Sequence, residues 1–426
     1  MGVVLGPRFI AVTTIAAFSL LAGTAAHADE SGGSSSDVYE RLRPEYDANG
    51  LHVGTFFLYP SMSSGGGLNS NIYNAPIATS DYFYSIDTAV KFQSGWSRHE
   101  LELNARTKSV WFSNQITENR MDWDVRADLR LDLIRGTKLG VKGDYALAHE
   151  ERGTGNAGGA GANDADALTE FNSNNLDVEF EHRFNRLKLT LFGDWQRLDF
   201  LDGQTIAVPS AVIDNDDRDR TAMRYSGKTA LEVWSDTAIF LRGTMVGTDY
   251  AAPLHGRDLN RDSSEFIFDG GLEFSISHLL VGQIAAGMSQ KTFTDTRLPD
   301  SSSAAVDLHI KWYPSMLTNV TVSGGRSTEE TSVAGSSGYI STRGGVSMDH
   351  ELLRNLILTG KLSYENDEYA QTLRNDDVLT GAVSGRYMIN NQFHLDAGYE
   401  FVDRSSSDAP FAYSASQFQL SLTGKM

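Results

Sequence analysis

The chain contains no cysteine. That excludes a disulfide framework, a thiolate metal site and an N-terminal lipid-modified cysteine. Proline is scarce, at 9 of 426 residues, so little interrupts regular backbone. Beyond the N-terminal run, no window approaches the roughly eighteen consecutive apolar residues of a membrane-spanning helix. Basic residues are also in the minority, with 36 Lys and Arg against 55 Asp and Glu and a formal net charge of -19. So acidic a chain argues against nucleic acid as a partner and against a polybasic lipid-binding patch.

Glycine is plentiful, at 40 residues. A mean hydropathy of -0.30 would suit a soluble protein. A transmembrane barrel gives the same value, because half of every spanning strand faces a polar lumen.

Residues 1–28 carry Arg8, an apolar run from Phe9 to Leu21, and Ala26-His27-Ala28 before Asp29. This pattern predicts a cleaved secretory signal peptide. Residues 29–50 are polar and weakly periodic, and are expected to be a periplasmic lead-in. Residues 51–426 are then expected to form the barrel.

The stretch from Met121 to Leu133 shows the organising pattern. Met121, Trp123, Val125, Ala127, Leu129, Leu131 and Leu133 share one parity, and Asp122, Asp124, Arg126, Asp128, Arg130 and Asp132 share the other. That is a strand with an apolar face and an ionic face. Comparable stretches recur, among them Glu100 to Val110, Leu176 to Phe184 and Leu187 to Asp199, at a spacing of about twenty residues. The first is expected near Leu51 to Pro60 and the last from Phe411 to Met426, with Phe418, Leu420 and Leu422 opposite Gln417, Gln419, Ser421 and Thr423.

The connections alternate in length. Short joins such as Arg135-Gly136, Asn185-Arg186, Ser235-Asp236 and Ser277-His278 separate longer polar segments such as Ser61 to Asp81, Glu151 to Glu170, Leu201 to Arg220 and Asp249 to Ser264. The expected fold is therefore all-β: an antiparallel up-and-down transmembrane barrel of about eighteen strands (16 to 18), with short periplasmic turns and long external loops. Closure follows, because only a closed sheet satisfies its backbone hydrogen bonds in lipid. Trp96, Trp234, Trp312 and Tyr313 beside short turns, and Tyr59, Tyr82, Trp111 and Trp123 toward long loops, predict two aromatic girdles.

The ionic faces supply the pore-lining candidates: Glu102, Arg106, Asp124, Arg126, Asp128, Arg130, Lys138, Lys142, Asp144, Glu179, Glu181 and Arg183. Opposed charges on one wall would orient polar solutes or simply solvate the interior. Asp258, Asn260 and Asp262 have the spacing of a calcium loop, but Ser263 and Asp269 stand where such loops carry Gly and Glu. A second acidic cluster, Asp214, Asp216, Asp217 and Asp219, lies in another predicted external loop. No G-x-S-x-G or H-E-x-x-H motif occurs, and His99, His182, His309 and His394 sit on separate strands. No enzyme and no cofactor are expected.

Val38, Arg41, Arg43, Pro44, Glu45, Tyr46, Asp47 and Gly50, followed by Gly54, Phe56, Pro60, Asn71, Ile72, Tyr73 and Asp81, carry a family resemblance. This segment resembles the opening of the β-barrel porins encoded with exopolysaccharide loci. The resemblance implies an outer-membrane conduit for a secreted polysaccharide, working with a periplasmic polysaccharide-export protein and seated among outer-membrane lipid and lipopolysaccharide. The glycan would be anionic or neutral. A passive diffusion porin is the alternative, followed by an outer-membrane lipid hydrolase. A receptor with an N-terminal plug domain is disfavoured, because the lead-in is short.

Overall fold

Alternation of apolar and polar residues fixes which side of each strand meets lipid, and adjacent strands obey the same alternation in register. The computed structural model describes residues 37–153, 167–205, 211–253, 259–277, 279–331, 333 and 336–426. The predicted signal peptide lies outside them.

Eighteen antiparallel strands close a barrel: β1 Phe56–Asn69, β2 Asp81–Ser94, β3 His99–Phe112, β4 Arg120–Ile134, β5 Thr137–His149, β6 Glu170–Phe184, β7 Leu187–Phe200, β8 Arg220–Trp234, β9 Thr237–Tyr250, β10 Ser263–Ile276, β11 Leu280–Phe293, β12 Ser301–Ser315, β13 Thr318–Glu329, β14 Tyr339–Leu353, β15 Leu356–Tyr369, β16 Asn375–Met388, β17 Phe393–Ser406 and β18 Tyr413–Lys425. Each strand pairs with its neighbour in sequence, and β1 pairs with β18 from Ser61↔Lys425 to Asn69↔Gln417 to close the ring. The closed sheet leaves no edge of unpaired N–H and C=O groups in lipid.

The apolar parity faces outward. Phe418, Leu420 and Leu422 are exposed on β18, whereas Ser421 and Thr423 between and beside them are buried. Short turns with left-handed residues at Gly136, Asn185, Asp236 and Ser277 join strands at one end, where both ends of the sheet also lie. In outer-membrane barrels this is the periplasmic end. Register shifts at Asp132/Ile134, Glu232/Trp234, Trp312/Ser315 and Glu351/Leu353 mark bulges beside these turns.

The opening of the barrel departs from the expected boundaries. Leu51–Val53 is a separate short strand folded back on Phe56–Leu58, and β1 continues to Asn69 through the segment expected to be a loop. Its Ser and Gly residues read as a turn, yet they are small because neighbours press on them: a Cβ on Gly67 would lie 2.0 Å from the Phe418 carbonyl oxygen. Elsewhere, polar strand ends also read as loop; β12 begins at Ser301 and β13 runs to Glu329.

Trp96, Trp111, Trp234, Trp312 and Tyr82 are exposed on the outer surface, as the girdles require. Tyr59 and Tyr313 are not girdle residues. Tyr59 covers Gly50 near the periplasmic end, and Tyr313 is buried, with its hydroxyl donating to Asp37 Oδ1 at 2.8 Å. Tyr313 shares the strand parity of Asp307 and Lys311, whose ion pairs lie inside the barrel, so it points inward while Trp312 points out.

Candidate functional site

The site is the interior wall together with the segments that enter it at both ends. All twelve ionic candidates lie on the interior parity, and the register joins them: Glu102 faces Asp128, which faces Lys142, and Arg106 faces Asp124. Lys138 faces Glu181, Gly140 faces Glu179, Arg126 faces Asp144, and Arg183 faces Lys188 at the turn end. Ion pairs draw several into a lattice. Lys91 meets Glu102 at 2.8 Å, Arg130 meets Glu100 at 3.2 Å, Lys142 meets Asp128 at 4.0 Å, and Arg106 pairs with Asp87. The lattice continues on β7 to β12, where Glu273 joins Lys188 and Lys228, and Arg242 sits between Asp269 (3.0 Å) and Asp307 (3.3 Å). Lys188 and Glu273 stand three strands apart, so only a shared interior brings them together.

The wall from β18 to β1 is different in kind. Its interior positions are Gln417, Gln419, Ser421, Thr423 and Lys425 on one strand and Ser61, Ser63, Gly65, Gly67 and Asn69 on the next, with Lys425 the one charge, at the periplasmic end. Ionic alternation directed attention to β3 through β6 and away from these mostly neutral residues. The parity of the C-terminal strand was the signal that could have placed them in the lumen.

At the periplasmic mouth, the lead-in is seated inside the barrel. Val38 is buried with Ile357 and Met388, and Tyr39 and Tyr46 pack against them. The Val38 N–H donates to Asn319 Oδ1 at 2.9 Å, Lys311 reaches Asp37 at 2.6 Å, and the Tyr39 hydroxyl lies 3.1 Å from that of Thr359. Burial pushes the Tyr39 phenol up from its ordinary range. Arg43 is buried, and its guanidinium donates to the Val38 carbonyl (2.7 Å) and to Glu351 (2.6 Å). The residues of the family resemblance thus include those that dock the lead-in.

At the external mouth, the loops hold one another through buried charges. Arg152 donates to Glu118 at 2.7 Å, with both side chains almost fully buried. The Asn74 side chain donates to the Arg152 carbonyl, and Arg404 on β17 reaches the Gly153 carbonyl. Asp81 accepts from the backbone of Asn114 and Gln115, each at 2.9 Å, which ties the loop after β3 to the start of β2. Arg218 meets Glu150 at 2.6 Å, and Arg261 bonds the carbonyls of Asp217 and Thr331. Burial would raise the Glu330 carboxyl, but Lys291, Arg220 and the Tyr250 hydroxyl together hold it below its usual range.

The calcium-like run is spent on loop geometry where it is described. Asp262 accepts from the Tyr250 N–H at 2.7 Å, and Asn260 bonds Asp262; Asp258 lies outside the described residues. In the other acidic loop, Asp202, Asp214 and Asp216 approach one another and Asp217 and Asp219 do not join them. The histidines stay apart: His99 accepts from the Asp132 N–H, His182 meets Thr137, and His394 lies 3.1 Å from Asp396.

Among solved structures, the chain is similar to the siderophore receptor PiuA from Acinetobacter baumannii, at 10% identity and a TM-score of 0.46 over 92% of this chain and 85% of that one. It is similar to the siderophore receptor PirA from the same organism, at 6% identity and a TM-score of 0.44 over 87% and 80%. The copper transporter OprC gives 12% identity and a TM-score of 0.47 over 89% and 81%. No curated protein sequence matches. The pattern of the family described as "Putative beta-barrel porin 2" matches residues 43–426, the whole barrel and the docking arginine before it, and the chain belongs to that family of outer-membrane β-barrel proteins.

Proposed function

We propose that this barrel is the outer-membrane conduit through which an exopolysaccharide or capsular polysaccharide leaves the cell. The observation that carries the reading is the pairing of a polar interior wall with non-sheet segments docked at both mouths, Asp37 to Asp47 inside and Glu150 to Gly153 outside. A diffusion porin serves small solutes continuously and gains nothing from a lead-in held in its periplasmic mouth. A secretion conduit works only while a chain is being delivered, and between those times it must not leak. The resemblance of residues 38–81 to porins of exopolysaccharide loci supports the same reading, and a periplasmic polysaccharide-export protein is the partner it implies.

Deleting the gene separates the two transport readings. Loss of surface polysaccharide with unchanged uptake of small solutes is the expected result. Impaired uptake with intact surface polysaccharide would replace the conduit by a porin.

A further inference from the structure

The geometry points to a gate at the external mouth, in which the end of β13 either turns inward over the lumen, as here, or zips onto β12 and clears it; this rests on the conduit reading above. β12 and β13 pair from Ser315↔Thr318 as far as Val306↔Arg326, where their register ends. Both strands run on past that point on their other flanks, β12 to Lys291↔Ser301 and β13 to Glu329↔Tyr339. The wall is therefore parted between residues 301–305 and 327–329. The hydroxyls of Ser303 and Thr328, 3.2 Å apart, span the gap, and a cavity of about 210 Å³ beside it is lined by Ser301, Thr328, Phe293, Tyr339 and Tyr369.

The parting begins above the hydrocarbon. Arg326 has the outward parity of Val322 and meets Glu368 on the outer face at 3.8 Å. A pair of charges facing outward belongs at headgroup level. Sheet hydrogen bonds are obligatory in lipid and optional outside it, so these strand ends part without breaching the bilayer.

Beyond Glu329 the chain turns inward instead of following β12. The Glu330 carboxylate passes β12 to pair with the buried Lys291 on β11, and accepts from the Tyr250 hydroxyl on β9 at 3.0 Å. Arg261, buried over the Tyr250 ring, donates to the Thr331 carbonyl at 2.9 Å and to that of Asp217. Arg218, next to Asp217, meets Glu150, and Gly153 at the end of that segment meets Arg404. Contacts thus run from the end of β13 through the loops before β10, β8 and β6 to β17.

The alternative arrangement is written in the register. Continued past Val306↔Arg326, it sets Ala305 opposite Ser327, Ala304 opposite Thr328, Ser303 opposite Glu329 and Ser302 opposite Glu330. The β12 residues are small, so no bulky side chain opposes the pairing. Glu330 then takes the parity of Arg326 and Thr328 and moves to the outer face, off the lumen. Its departure releases Lys291 and Tyr250 and unlinks Thr331 from Arg261. Backbone hydrogen bonds gained along β12 replace an ion pair and a hydroxyl bond, terms of comparable size, as a two-state element requires.

The test is single-channel recording of the full-length chain in planar bilayers, on the Val38→Asp background so that the docked lead-in does not mask the outer end. Glu330→Ala removes the hold over the lumen and is expected to raise the fraction of time spent conducting at least about tenfold. Ser302→Cys/Glu330→Cys reports the zipped register: the two positions lie on opposite faces of the wall here and become cross-strand partners within disulfide reach when β13 zips. Because the chain has no cysteine of its own, any disulfide joins these two positions. Oxidation is expected to cross-link the assembled barrel, identified by heat-modifiable migration, and the cross-linked form is expected to close less often than the reduced one. An unchanged conducting fraction in Glu330→Ala, an assembled barrel that forms no disulfide, or a cross-linked form that conducts no more than its Val38→Asp parent would each overturn the gate and leave the conduit standing. The gene deletion above, not these recordings, decides what the pore carries.

Discussion

Arg43 and Glu351 lie 308 positions apart in sequence, and their guanidinium and carboxylate meet at 2.6 Å with both side chains buried. Arg41 joins the same carboxylate at 3.0 Å. One acidic group therefore anchors two cations of the lead-in to the periplasmic end of β14. Removing one partner of a buried pair costs roughly 3 to 5 kcal/mol, because the other charge is left without compensation. In Glu351→Gln the lead-in should leave the mouth while the barrel stays closed. Trypsin cleavage after Arg41 is expected to accelerate by at least about tenfold, since each 1.4 kcal/mol or so is a factor of ten in population. An unchanged cleavage rate would mean that Glu351 does not hold the segment.

The apolar half of the same contact makes a separate prediction about conductance. Val38 packs into Ile357 and Met388. An aspartate there would bury an unpaired carboxylate, at a cost of several kcal/mol. Val38→Asp should raise single-channel conductance, and Val38→Ala should raise it less, since truncation only thins the contact. Equal conductance in all three proteins would show that the docked lead-in does not restrict the pore.

Glycine placement at the seam gives a third test. A Cβ on Gly67 would lie 2.0 Å from the Phe418 carbonyl oxygen and 2.6 Å from the Phe83 ring, whereas one on Gly381 would meet nothing within 4 Å. Overpacking against backbone has no cheap relaxation, and typical costs are about 1 to 3 kcal/mol or more. Gly67→Ala should therefore reduce the heat-modifiable, assembled fraction several-fold, while Gly381→Ala leaves it unchanged. Equal assembly of the two variants would mean that the seam between β1 and β18 can open to admit the methyl group.

Strand number, parity and the alternation of turn and loop were legible in the sequence, because lipid on one side and water on the other impose a period of two at every spanning residue. Boundaries were less legible. Ser61 to Leu68 carries few bulky apolar side chains, and its strand character comes from β2 and β18 pressing on both flanks. The docking of Arg43 on Glu351 could not be read locally at all, since nothing near either residue names the other. The wall of β18 and β1 escaped notice for a third reason: Gln and Ser on a strand face do not stand out until closure turns that face into a lumen.

The last prediction concerns pH and the loop that ends at Asp219. Its carboxylate accepts the Phe200 N–H at 2.6 Å and sits just before β8. Burial, opposed by that hydrogen bond and reinforced by Asp199 and Asp216, pushes its pKa up to about 6 from an ordinary 3.8. A carboxyl whose folded pKa is raised binds more protons in the folded loop than in the released one throughout the interval between those two values. The folded loop is thus favoured in acid, and that advantage is lost as pH rises through about 6. Asp216, raised by Asp202 and Asp214 beside it, contributes in the same direction. Because the chain has no cysteine, a nitroxide on Val212→Cys reports this loop alone. Its spectrum should be broader, and its motion slower, at pH 5 than at pH 7.5. Asp219→Asn keeps an oxygen for the Phe200 N–H and cannot ionise, so most of the pH dependence should vanish in that variant. A spectrum that sharpens on acidification would contradict the direction of this shift.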